Sequence, residues 1–166
     1  QAAAHGSSIL LVATRICRVL PTDRVSLLST MSLILKSPIT GPAAWRGSDI
    51  ASDPAWLEVL SDEALAEIDA ALAQVHRLGK RFPRFGKADF PLPQLQQTLA
   101  RHAEALENGR GFVLLRGLPV ERYSESDIEI IYYGLGLHLG TPVCQNPRGD
   151  LLGAVQNVGD LNDKHT

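Results

Sequence analysis

The residues with most scope for metal or acid–base chemistry are the histidines His5, His76, His102, His138 and His165. An imidazole titrates near neutrality and binds divalent metals, but a site needs further donors at set spacings. No His-Glu-x-x-His, His-x-His or complete His-x-Asp occurs in the chain. His102 and His138 fall on or beside apolar helical faces, where a lone histidine reads as a satisfied core or boundary residue. His76 lies near the end of a helical pattern and reads as a partner for its negative dipole end. The run Gly134-Leu135-Gly136-Leu137-His138-Leu139-Gly140 is superficially like a dinucleotide loop. Its third glycine is one residue late, and it closes a helix instead of linking strand to helix. Small residues that let a helix approach its neighbour are the better reading.

Other chemistries fare no better. No Gly-x-Ser-x-Gly elbow is present, which disfavours a serine hydrolase of the usual α/β kind. The acids Glu58, Asp62, Glu63, Glu67 and Asp69 read as solvated helix faces. Cys17 and Cys144 belong to no Cys-x-x-Cys pair, so neither a zinc ribbon nor a redox motif can be built, and reduced thiols are the simpler expectation. A formal charge of −2 gives no concentrated basic surface, and aromatics are 5% of residues, so a nucleic-acid partner is not expected. No apolar run is long enough to span a bilayer.

The elements that would position any site can be read from periodicity. At 166 residues and 45% hydrophobic content the chain has material for one core. Residues 1–30 stand apart: Arg15, Arg18 and Arg24 face one acid, Asp23, among many Ser and Thr. The segment reads either as translated leader before Met31 or as a transit-like peptide, and is expected to be disordered and outside the fold. The chain is therefore expected in the cytoplasm, or in mitochondria if that segment is a genuine transit peptide. Residues 31–60 carry Pro38, Gly41, Pro42, Gly47 and Pro54, a density of breakers that forbids long elements. They read as an extended arm pinned by Trp45 and Trp56.

From residue 61 the pattern is regular. Leu65, Ile68, Leu72, Val75 and Leu78 form a helical stripe over about 61–78, capped by Ser61 and stopped by Gly79. A second helix over about 92–108 carries Leu92, Leu95, Leu99, His102 and Leu106 on one face. Gly111 to Gly117 reads as a buried strand, its unbroken apolar run implying cover on both faces. A third helix starts at Ser124 or Ser126, buries Ile128, Ile131, Leu135 and Leu139, and ends before Thr141-Pro142. Leu151 to Val158 reads as a second strand after the polar turn Gln145-Asn146-Pro147-Arg148-Gly149. The class is α+β, and two strands cannot make a closed sheet.

The stretch Gly111-Phe112-Val113-Leu114-Leu115-Arg116-Gly117-Leu118-Pro119, an acid-rich helix start, and Gly140-Thr141-Pro142-Val143 together resemble the taurine dioxygenase (TauD/TfdA-like) family. Gln145 to Leu152 continues in the manner of that family, and the resemblance runs from about Trp45 to Thr166. It implies N-terminal helices and the first strands of a double-stranded β-helix of the clavaminate synthase type, a jelly roll left incomplete in this chain. It implies an Fe(II)- and 2-oxoglutarate-dependent dioxygenase, with iron held by a His-x-Asp pair and a distant histidine. A late arginine would pair with the cosubstrate carboxylate. On this reading residues 61–166 are the N-terminal part of the dioxygenase domain. No catalytic residue or metal ligand carries over: His165-Thr166 would open a His-Thr-Asp only if Asp followed, and the family pattern sets that motif further along. Iron and 2-oxoglutarate are thus expected for the full-length protein and not for these residues alone, which are expected to be inactive. Gln145 and Asn146 occupy a stretch that passes near a small-molecule substrate in the family; their other reading is closure of a turn. A non-catalytic interaction or pseudo-enzyme module of the same fold is the alternative. The sequence says nothing of the oligomeric state.

Overall fold

In a computed structural model of the chain, the structure describes residues 38 and 40–153 together with a strand at Ile9–Ala13. That strand is β1, and it is followed by α1 (Gly47–Ser52), β2 (Leu57–Val59), α2 (Asp62–Arg77), α3 (Leu95–Glu107), β3 (Phe112–Arg116) and α4 (Glu125–Leu139). The three strands form one sheet in the order β1-β3-β2. β1 runs antiparallel to β3, from Ile9 opposite Arg116 to Ala13 opposite Phe112. β2 runs parallel to β3, with Leu57, Glu58 and Val59 beside Leu114, Leu115 and Arg116.

Within the segment read as a leader, Ile9–Ala13 pairs with β3, and the rest of residues 1–30 lies outside the described residues. The apolar run Ile9–Ala13 satisfies its backbone groups on the edge of β3 that β2 leaves open. The expected arm at 31–60 is also more structured than a bare extended segment, because the short α1, a 3-10 turn at Pro54–Trp56 and β2 fit between its breakers. Both indoles do pin it. The Trp45 indole N–H donates to the Arg110 carbonyl at 3.0 Å, and that of Trp56 to the Ile50 carbonyl at 3.1 Å. Both rings pack against Phe112, with centroids 5.1 and 5.9 Å away.

α2 forms where its stripe predicts. The Ser61 hydroxyl accepts from the Ala64 amide, and Asp62 and Glu63 occupy the positive first turn. At the other end Gly79 adopts φ +63°, and the Gly79 and Lys80 amides return to the carbonyls of His76 and Val75. That reversal carries Leu78 off the stripe, leaving it 50% exposed. α3 begins at Leu95 and not Leu92, since Pro93 keeps the residue before it out of helical geometry. Leu92 is nevertheless buried. α4 starts at Ser124, whose hydroxyl takes the Asp127 amide while the Asp127 carboxylate takes the Ser124 amide. A Cβ at Gly134 would stand 2.6 Å from the Phe90 ring, so this glycine permits the close approach its surroundings suggested.

The core gathers Ile68, Val75, Phe90, Leu92, Leu99, Val113, Leu115, Ile131 and Leu135 between the three long helices and one face of β3. β3 alternates: Val113 and Leu115 are buried, whereas Phe112, Leu114 and Arg116 are half-buried. The cover expected on both faces is present but unequal: the helices bury Val113 and Leu115, while Trp45 and Trp56 pack on Phe112 of the half-buried face. The strand expected over Leu151–Val158 is not formed at Leu151, Leu152 or Gly153, and the remainder lies outside the described residues. The result is a mixed α+β arrangement of helices on a small sheet.

Candidate functional site

Three histidines lie within the described residues, and each is committed to a different neighbour. His76, in the last turn of α2, meets the Asp127 carboxylate at 2.7 Å and so ties the C-terminus of α2 to the capping box of α4. The Ser124 hydroxyl, and then His76, hold the Asp127 carboxyl below its ordinary range. His102 is buried on α3 and faces the Glu58 carboxylate of β2 at 3.2 Å. His138 is buried on α4, and its Nε2–H donates to the Phe90 carbonyl at 2.8 Å, which leaves Nδ1 enclosed without a partner. Burial pushes the His138 imidazole below its usual value, against the opposing pull of the Phe90 carbonyl. His102 thus matches the satisfied boundary role expected of it; His138 matches it at one nitrogen. His76 matches the dipole role and adds an acid partner that local sequence does not reveal.

The acids also differ from the solvated faces expected. Glu67 lies on α2, but its two carboxylate oxygens accept from the Gln94 and Leu95 amides at 2.8 and 3.0 Å. It therefore caps α3 from another helix, in place of a local side chain that Gln94 does not supply. Asp69 accepts from the Tyr123 hydroxyl at 2.8 Å and meets Arg122 at 3.4 Å. Loss of hydration and the nearby Asp69 charge push the Tyr123 phenol up to about 12. Glu58 is held by His102. Asp62 keeps the solvated character read from the sequence, and Glu63, also exposed, is engaged by the Ser61 cap.

Gln145 and Asn146 sit in a turn that their own side chains close. The Asn146 Oδ1 accepts from the Arg148 and Asp150 amides at 3.0 and 3.2 Å, and its Nδ2 donates to Asp150 at 2.7 Å. The bond from Asn146 holds the Asp150 carboxyl below its ordinary range. The Gln145 amide donates to the Asp150 carbonyl at 2.7 Å, and Nε2 to the Val143 carbonyl at 2.9 Å. Asn146 is consequently spent on the turn, while the Gln145 side-chain oxygen stays available in an exposed residue. Cys144 beside them is an exposed free thiol. Cys17 and His165 lie outside the described residues.

A cleft of about 190 Å³ opens between β2, α2 and the start of α3, lined by Glu58, Leu60, Glu63, Glu67, Leu95 and Thr98 among others. Its carboxylates are already engaged: Glu58 with His102, Glu67 with the α3 amides, and Glu63 with the Ser61 cap. Among the described residues no three His, Cys, Asp or Glu side chains converge as a metal site. The donor set in 38–153 does not fit an iron centre of the kind the resemblance implies. No helix among the described residues is long and apolar enough to cross a membrane.

Comparison with known proteins gives this framework a lineage. Over 133 residues, 79% of the chain, it is 32% identical to an FR-33289 synthase of Streptomyces rubellomurinus, covering 39% of that protein. Over 106 residues, 64% of the chain, it is 26% identical to a taurine hydroxylase-like protein of Stachybotrys chartarum, covering 28% of it. No family model matches the chain. A synthase and a hydroxylase-like protein point to an oxidative enzyme family. The second relative's name is in keeping with the TauD-like resemblance of the stretch at 111–143. The chain spans well under half the length of either relative.

Proposed function

We propose that this chain belongs to a non-haem iron, 2-oxoglutarate-dependent dioxygenase that hydroxylates a small organic substrate. Residues 38–153 serve as its scaffold. The observation that carries this reading is the 32% identity to the synthase over 79% of the chain. On this reading the β3 sheet is the foundation of a double-stranded β-helix, and the iron ligands belong to residues other than 38–153. Iron(II) and 2-oxoglutarate, when bound, supply the oxidant for a substrate C–H bond. The described residues contribute position. α2, α3 and α4 fix one face of β3, and the Asn146 turn holds Gln145 at an exposed place where its side-chain oxygen can meet a substrate. No step of the chemistry is assigned to His76, His102 or His138, each of which is bound to a neighbouring element.

The test is conversion of 2-oxoglutarate to succinate in the presence of Fe(II), by the 166-residue chain and by any longer product of the same gene. Succinate from the longer product alone is the expected result. Turnover by the 166 residues would overturn the assignment of ligands elsewhere. A longer product with no turnover and no iron binding would favour a non-catalytic module of the same fold.

A further inference from the structure

Among the described residues, the Arg116 guanidinium is a cationic group that the fold partly encloses and leaves without a counter-ion. It ends β3 on the face turned away from the helices, in line with Phe112 and Leu114. Its Nε is fully enclosed and donates to nothing. No carboxylate among the described residues lies within ion-pair distance of it, although Arg110, Arg122 and Arg148 each have one. The sheet explains the gap. On β2, the neighbours of Leu114 and Arg116 are Leu57 and Val59, both apolar. The acid between them, Glu58, pairs with Leu115 on the helical face and is bound to His102. Val59, beside Arg116, is 60% exposed, so the position is reachable from solvent.

An enclosed N–H without an acceptor is costly, more so where the group is charged, and such a group in a native protein calls for an explanation, of which a bound anion is one. The guanidinium is a planar fork of donors that matches the two oxygens of a carboxylate. We propose that Arg116 is the anchor of an anion site at the end of β3, and that its ligand is the carboxylate of a small organic acid. The apolar floor of Leu57, Leu114 and Val59 beside the charge suits an acid with a short aliphatic body. The site stands on the geometry of β3 and β2 and does not depend on the dioxygenase reading.

The test is titration of the isotope-labelled 166-residue protein with sodium glutarate, following the arginine Nε–Hε resonances against sodium chloride at equal ionic strength. The expected result is a saturable shift of one resonance that is absent from Arg116→Gln. Arg116→Lys, which keeps the charge but not the fork, should bind glutarate roughly ten-fold more weakly or worse, the loss of one charge-assisted hydrogen bond. Unchanged backbone amide spectra would show that both variants fold. An equal response to inorganic phosphate would overturn the preference for a carboxylate. A resonance that glutarate does not move, whether or not it is already protected from exchange, would overturn the site.

Discussion

The two faces of β3 belong to one strand of five residues, yet they have different fates. On the helical side Val113 and Leu115 are buried, and the acid that reaches this side from β2, Glu58, is met by His102. On the other side Phe112 is covered by two indoles, Val59 and Trp45 remain exposed, and Arg116 has no acceptor. The difference teaches that the helices and the sheet are held together by one face only. The opposite face carries the groups still free to meet something else.

Substitutions sharpen this contrast, and the largest effect belongs to the helical face. Leu115→Ala should cost about 2–5 kcal/mol in urea unfolding, because the surrounding helices cannot close the cavity. Leu114→Ala, one residue away on the half-buried face, should cost about 1–2 kcal/mol. Equal losses would break the comparison. Gly134→Ala should cost about 1–3 kcal/mol, since its new methyl meets the Phe90 ring. A neutral result would mean that α4 and the Phe90 loop separate easily. Glu67→Ala should cost about 1 kcal/mol by removing the cap of α3, with faster hydrogen exchange confined to the Gln94 and Leu95 amides.

The smallest effect is a pH dependence on the helical side. The folded His138 imidazole has a depressed pKa, so between that value and the ordinary one near 6.5 the unfolded chain binds more protons. Stability contributed by neutral His138 is therefore present above about pH 6.5 and declines as pH falls below it. His138→Gln, which retains a donor for the Phe90 carbonyl, should lose this part of the slope. The same unfolding midpoints at pH 7.5 and 5.5 in both proteins would refute it.

What could be read in advance follows the range of the forces involved. α2 was legible to its caps because Ser61, its stripe and Gly79 act within a turn or two of the helix they bound. The Gly134 contact was legible as a kind of contact, although its partner Phe90 was not. β1 was missed because Ile9 and Arg116 meet only through long-range strand pairing, which leaves no local period. The role of Glu67 was missed for the same reason, since an acid on the surface of one helix gives no sign of the amides of another. At the candidate site, the turn-closing reading of Asn146 was legible from its Asn-Pro-Arg-Gly setting. The lack of a counter-ion for Arg116 depended on which face of β2 Glu58 would take, and only the strand register decides that.

The brevity of β2 has a colloidal consequence. An outer strand offers unpaired amides and carbonyls as a template for neighbouring molecules, and the hazard grows with its length. Three residues, one of them Glu58, supply too short a ladder to recruit a foreign strand. This lip of the sheet should accordingly resist fibril growth, even with Val59 bare to water.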